Sequence, residues 1–456
     1  MSKINVAKKQ EAIYTHEGAK ARQCSNEQQL RRSVLACLLW EDSFYEDGQS
    51  IADRIKGLVA KVPAVVVAEI AIEARKKLRH VPLLLVREMA RIDSHKRFVA
   101  DTLAEVIQRP DELTEFLAIY WKEGRCPVSA QVKKGLAKAF LKFNEYSLAK
   151  YNQDGPIKLR DVLHICHANP GLDPLEGVLK NRTYKNGEKL VLRHKGCLLD
   201  KVVNNQLQTP DTWEVELSAG ADKKSTFERL MQEEKLGALA FLRNLRNMRD
   251  SGVHEGLVAQ YASVVKLDRV LPFRFISAAR AVPAWEPMIE AMMFRALKGH
   301  TPLPGRTLLL VDNSGSMYGP KVSAKSDIQR ADAAGALAIL LREICENITV
   351  LAYSNETVVV PARHGFALRD AIQGATAHGG TDTGLAVRTC NAMGYDRIIV
   401  ITDEQSQTAV GQPKTDKAYF INVSVEKNGL GYGAWTTITG WSESIIDYIK
   451  AVENVA

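Results

Sequence analysis

Three short segments in the last third of this 456-residue chain carry side chains suited to inorganic chemistry. LLLVDNSGSM brings Asp312, Ser314 and Ser316 together at two-residue spacing, HGGTDTG supplies Thr381, and VITDE supplies Asp403. Carboxylate and hydroxyl oxygens are hard donors, the preference of Mg²⁺ or Mn²⁺ and not of zinc. With few direct charges and several waters retained, such a set leaves a cation able to accept a carboxylate or phosphate from a partner. Taken singly, D-N-S-G-S is an ordinary turn, because Asp, Asn, Ser and Gly all favour turns. The conjunction of three such segments, each at a strand end or a helix start, points to one site for Mg²⁺ or another divalent cation.

A second set of residues is basic. Lys134, Lys138 and Lys142 recur every four residues, and so share one helix face. Arg243, Arg246 and Arg249 recur every three in FLRNLRNMRD, and RTYKNGEKLVLRHK crowds Arg182, Lys185, Lys189, Arg193, His194 and Lys195 into a loop region. Each group could meet phosphates or simply form a solvated face. The charge balance bears on the choice. The chain is +8 overall, but residues 301–456 hold 13 Lys and Arg against 16 Asp and Glu, a net −3 that leaves +11 on residues 1–300. So uneven a balance fits two parts with different partners, an anionic one for the front.

Other chemistries find less support. His164 and His167 sit three apart on one helix side, but no third metal ligand is near; they read as core or capping histidines or as RNA contacts. Seven scattered cysteines without a C-x-x-C pair suggest free thiols in a reducing cytoplasm. The polar N-terminus lacks the apolar core of a signal peptide, and no run of about 18 apolar residues is long enough to span a membrane. The chain has no P-loop, no G-x-S-x-G elbow with its histidine and no evident general base in the metal loops, so an enzyme is not expected.

The elements that must position these groups fall into two kinds. From Gln28 to about Leu297 the pattern is helical, with helices expected at Glu27–Trp40, Ser50–Val59, Ala64–Leu78, Pro82–Arg91, Lys96–Gln108, Asp111–Trp121, Ser129–Phe143 and Leu159–Ala168. VPAVVVAEIAIEARKKLR and VPLLLVREMARIDSHKRF look like successive members of an array of helical pairs about 40 residues long, an α-solenoid of HEAT or armadillo type. A compact helical bundle is the alternative. Residues 171–235 read as an exposed insertion, and the first twenty as a mobile arm. After the GHTPLPGR joint, RTLLLVD, ITVLAYS, DRIIVITD and KAYFINVS are apolar strands, with helices at Ser326–Cys345, Phe366–Ile372, Thr383–Met393 and Ser442–Val452. That alternation predicts a doubly wound α/β domain, whose ligands bind past the carboxyl ends of the strands. The expected organisation is an arm at 1–20, a helical-repeat domain at 21–298 and an α/β domain at 299–456.

The α/β part resembles the von Willebrand factor A family over nearly all of residues 305–456. By that resemblance Asp312, Ser314, Ser316, Thr381 and Asp403 match the five positions of the family's metal-ion-dependent adhesion site, which usually binds a partner through the metal. WEDSFYEDGQSIADRI, AEIAIEARKKLRHVPLLLVREMAR, LAKYN, LRDVLHICHANP, FLRNLRNM and LPFRF are similar to the TROVE module of the Ro autoantigen family, in a bacterial or phage-type member. That module covers about residues 20–295 and precedes a von Willebrand A domain in the family, as here. The resemblance implies a ring of HEAT-like helical pairs closed by the A domain. Its basic outer face would bind small structured Y RNA-like RNA, and its central hole single-stranded 3′ ends of misfolded RNA.

Lys150 and His167 match positions that contact Y RNA in the family. Four residues after Lys150, where another basic residue is expected, this chain has Asp154, with Lys158 and Arg160 nearby. The implied protein is a cytoplasmic, monomeric RNA quality-control factor or scaffold, with an exoribonuclease as a further partner. The competing reading is a Mg²⁺-dependent protein-interaction adaptor; a Mg²⁺-dependent enzyme comes third.

Overall fold

In the computed structural model the described residues are 13–21, 23–35, 48–76, 78–152, 154–168, 198–267, 270, 272–298, 301–319, 321, 328–424, 426–440 and 444–453. They pack as two compact units, Ala52–Leu236 with Asn247–Leu257, and Met1–Ile51 with Gly237–Arg246 and Val258–Ala456. Element type changes near residue 299, as the sequence suggests. Packing groups the segments differently, drawing the first helix and the helices from residue 258 onward into the unit that contains the sheet.

The first-named unit is helical. Helices Ala64–Arg75, Lys96–Val106, Ala130–Phe140 and Leu159–Cys166 pack each on the next, while His80–Met89 packs on Asp111–Tyr120, which in turn packs on Leu159–Cys166. These contacts skip one helix, or two between Asp111–Tyr120 and Leu159–Cys166, and make a two-layer stack of pairs, the arrangement of a helical-repeat array and not of a compact bundle. The first layer's helices begin at residues 64, 96, 130 and 159, a shorter and looser repeat than 40 residues. Local signals set several boundaries: Ser129 and Asn144 accept hydrogen bonds from the Val132 and Ser147 amides as N-caps. The stretch expected as an exposed insertion holds helices Leu198–Val203, Trp213–Ser218 and Lys223–Gln232, the last burying Phe227, Leu230 and Met231. Six-residue helices span under two turns, too few for a period to show. Residues 171–197, with Arg182, Lys185, Lys189, Arg193, His194 and Lys195, lie outside the described residues.

The other unit contains a six-stranded sheet. Its strands are β3 (Leu303–Asp312), β4 (Cys345–Tyr353), β5 (Thr357–Val359), β6 (Arg397–Thr402), β7 (Ala418–Asn422) and β8 (Thr436–Thr439), in the order β5-β4-β3-β6-β7-β8. All neighbouring pairs are parallel except β4 with β5. Four of the six are the apolar runs read from the sequence. The two missed strands are short edges, TVV and TTIT, whose residues are half-exposed or exposed and carry no core signature. Leu308, Leu310, Ile398, Val400 and Phe420 fill one face of the sheet against Ala386, Val387 and Cys390 of helix Thr383–Met393. Strand order reverses on either side of β3, placing a switch point at its carboxyl end.

Residues 13–21, read from the sequence as part of a mobile arm, form a small antiparallel hairpin of β1 (Ile13–Tyr14) and β2 (Lys20–Ala21). Ala19 joins the core cluster, and the Thr15 hydroxyl and Ala19 amide both donate to the Ser406 carbonyl, at 2.6 and 3.1 Å. Polar attachment of this kind leaves no hydrophobic pattern to read. Among the described residues no helix is long and apolar enough to cross a membrane. The five cysteines described are free; Cys24, Cys166, Cys345 and Cys390 are buried, and burial pushes the Cys166 thiol up to about 11.

Candidate divalent-cation site and basic surface

β3 ends on Asp312 and β6 ends one residue before Asp403, and the two strands are hydrogen-bonded neighbours. The switch point therefore brings both carboxylates to one end of the sheet. Asp312 Oδ1 accepts the Ser314 amide at 3.0 Å and Oδ2 accepts the Thr402 hydroxyl at 2.6 Å. Ser314 and Ser316 hydroxyls lie 3.2 Å apart. Asp403 Oδ1 accepts the Gln405 amide at 3.1 Å. The Gly315 amide donates to the Gly379 carbonyl at 3.1 Å, tying the Asp312 loop to the loop that carries Thr381. The Thr381 carbonyl accepts the Gln407 amide and the Ser406 hydroxyl, from the loop following Asp403. Asp382 caps the next helix through the Leu385 amide. The three segments that the sequence singles out thus belong to one bonded network.

Asp312, Ser314, Thr381 and Asp403 are almost wholly shielded from solvent. Burial and the charge of Asp403 hold the Asp312 carboxyl well above the usual carboxylate range, and burial raises Asp403 as well. Arg330 Nη1 stands 3.8 Å from Asp403 Oδ2, too far for a hydrogen bond, and that oxygen accepts none among the described residues. Two buried carboxylates, one with an unsatisfied oxygen, beside two hydroxyls are a donor set that a hard divalent cation would complete. Among the described residues no three or more His, Cys, Asp and Glu side chains gather as a metal-binding group. His164 and His167 are exposed, and His167 holds a left-handed backbone (φ 51°) as the C-cap of helix Leu159–Cys166.

The basic candidates do not converge in this way. Lys134 and Lys138 are exposed, and Lys138 pairs with Asp101 at 2.5 Å. Lys142 turns back instead, its ammonium donating to the Ala104 and Ile107 carbonyls at the end of helix Lys96–Val106. It completes a helix terminus, so the stripe of three lysines is a mixed face. Lys150 is half-buried, its ammonium 5.9 Å from the Tyr151 ring centre; the Arg109 guanidinium lies 4.6 Å from the same centre. Asp154 pairs with Lys158 at 2.6 Å, so Lys158 is occupied by the residue it was expected to offset. Arg243 and Arg246 are exposed on helix Ala238–Asp250, and Arg246 Nε donates to the Ala281 carbonyl at 3.4 Å. The neighbouring positive charge of Arg243, after burial, depresses the pKa of Arg274.

Sequence reading missed Arg32, Glu404, Gln405 and Ser406, which surround Asp403 from the N-terminal side. Arg32 and Glu404 are both fully buried and paired at 2.9 Å across 372 positions. No local signal joins residues so far apart.

The family model for the TROVE domain matches residues 204–325. Telomerase protein component 1 of Mus musculus is 33% identical over 111 residues, covering 23% of this chain and 4% of that protein. Telomerase protein component 1 of Rattus norvegicus gives the same figures. The chain therefore spans only a small fraction of these relatives' length. Among solved structures, the Ro (RSR) protein of Deinococcus radiodurans is similar with a TM-score of 0.59 at 17% identity, covering 94% of this chain and 99% of that one.

Proposed function

We propose that the chain is a member of the Ro family of TROVE-domain proteins and a non-catalytic ribonucleoprotein scaffold acting in RNA quality control. The basic residues of the helical array take small structured RNA of the Y RNA type, and the protein also holds single-stranded 3′ ends of misfolded RNA. The TROVE match carries this reading. Lys150, His167, Lys134, Arg243 and Arg246 are the residues assigned to phosphate contact. Lysine and arginine supply sequence-independent affinity, while RNA shape and free ends supply selection. Sequencing the RNA that copurifies with the protein tests it. Enrichment of small structured RNA supports the reading, and purification free of nucleic acid at low salt overturns it.

A second reading rests on the bonded network around Asp312 and Asp403. The α/β domain is of von Willebrand A type, and Asp312, Ser314, Ser316, Thr381 and Asp403 hold Mg²⁺ or another divalent cation. When bound, that cation supplies an open coordination position for an acidic side chain of a protein partner. This chain's residues do the rest: the hydroxyls orient the carboxylates, and the surrounding loops keep bulk water from them. An exoribonuclease is one such partner. The two readings coexist, and Asp312→Ala separates them by abolishing a pull-down while leaving RNA binding intact.

A further inference from the structure

Arg32 is a fully buried arginine that hydrogen-bonds Glu404, the residue after Asp403. Its Nη1 donates to Glu404 Oε1, its Nε to the Glu426 carbonyl at 2.8 Å and its Nη2 to the Asn428 carbonyl at 3.2 Å. Glu404 directly follows Asp403 and has φ +61°, a left-handed conformation that a non-glycine residue keeps only where its surroundings impose it. The surroundings are evident. Glu404 Oε1 is held by Arg32, and Oε2 by the Leu430 and Gly431 amides at 2.5 and 3.1 Å. A Cβ on Gly429 would stand 1.8 Å from Glu404 Oε2 and 2.6 Å from Arg32 Nη2, so this approach requires glycine there.

The hairpin supplies a second, independent set of links. The His16 amide donates to Gln405 Oε1 at 3.0 Å, and the Gln405 side-chain amide and backbone amide bond the carbonyl and carboxylate of Asp403. Thr15 and Ala19 hold the Ser406 carbonyl, while the Ser406 hydroxyl donates to the Thr381 carbonyl at 3.1 Å. Residues 13–21 thus reach two of the five candidate ligands through one intervening residue each. A buried ion pair adds little net stability compared with apolar packing, and its best-attested use is to fix one conformation.

We infer that residues 13–21 and 23–35 form a clasp that sets the backbone of the Asp403 loop, with Arg32 as its positioning residue, so that this segment tunes the site's affinity for a divalent cation. The inference rests on the divalent-cation reading of Asp312, Ser314, Ser316, Thr381 and Asp403. Arg32 touches none of these ligands; it acts through Glu404, as outer partners of metal ligands do.

The test is Mn²⁺ binding to the full chain, followed by electron paramagnetic resonance and by competition with Mg²⁺, with melting temperature measured in parallel. Loss of such outer partners typically weakens metal binding by about 10- to 100-fold, and Arg32→Met should fall in that range. Arg32→Lys keeps the charge but not the three-way hydrogen bonding, and should lie between the two. Thr15→Val removes one bond to Ser406 and should weaken binding less. Arg397→Met is the control: it breaks a buried pair with Glu453 at the opposite end of β6, and should lower the melting temperature with the Mn²⁺ affinity unchanged. If the parent binds Mn²⁺ and both Arg32→Met and Thr15→Val bind it equally well, the clasp is overturned and the cation site stands. If the parent binds none, the cation reading fails and the clasp with it. Should Arg32→Met not fold, Thr15→Val and Arg32→Lys decide.

Discussion

The candidate cation cluster and the basic residues present their charges in opposite ways. Around Asp312 and Asp403, parallel strands deliver buried donors to one point, and each donor is fixed by hydrogen bonds to neighbouring loops. On the helices the candidate lysines and arginines are mostly at the surface, and several are drawn into local pairs with Asp101, Asp154 or helix carbonyls. A site fixed by topology concentrates its function in a few residues. A surface of separate charges spreads it, so single substitutions there should cost less.

The largest effect expected on either side is at the cluster. Asp403→Ala should reduce Mg²⁺ affinity by two orders of magnitude or more, about 3 kcal/mol, measured by calorimetric titration, because the site has only two carboxylates. RNA affinity should not change, and a parallel loss would erase the distinction between the regions.

The pH dependence sharpens the same side. Burial and Asp403 raise the Asp312 carboxyl, so its proton competes with the cation as pH falls. Mg²⁺ affinity should therefore drop between about pH 8 and 6. The sign of the linked stability follows. A carboxyl raised in the folded state stabilises most below its unfolded value and loses that contribution as pH rises through the folded one. Asp312→Asn should thus melt no lower than the parent at pH 8 in chelator, while losing the upward shift with Mg²⁺.

Intermediate effects belong to the basic residues. Lys150→Ala and His167→Ala should each weaken structured RNA by about 1–2 kcal/mol, measured by filter binding, and weaken a single-stranded tail less. Equal losses would mean one undivided surface. The smallest effects separate lysines that share a stripe in sequence. Lys142→Ala removes hydrogen bonds to the end of helix Lys96–Val106 and should cost about 1 kcal/mol of folding stability in denaturant titration. Lys138→Ala breaks an exposed pair with Asp101 and should leave stability within about 0.5 kcal/mol.

Much of this contrast was legible beforehand. That Asp312, Ser314, Ser316, Thr381 and Asp403 lie at one end of the sheet was legible, because apolar strands in alternation with helices dictate which ends meet. The helical array was legible from its periodicity, with a helix start expected at Ser129. What escaped depended on tertiary partners. Lys142 lies in phase with Lys134 and Lys138, yet its direction is set by a neighbouring helix end. Edge strands β5 and β8 lack the buried run that marked the other four. The Arg32–Glu404 pair has no sequence signature, since each residue is an unremarkable charge until the fold removes water from both.

The proposal is that RNA and cation are held by separate parts of one chain. It is tested most directly by binding a structured RNA with a 3′ single-stranded tail across a salt series, using the parent and Asp312→Ala, in Mg²⁺ and in chelator. Phosphate neutralisation by lysine and arginine predicts a steep loss of affinity with salt, the same slope in both proteins, at equal ionic strength with or without Mg²⁺. A flat salt response, or a slope that collapses with Asp312→Ala, would contradict it.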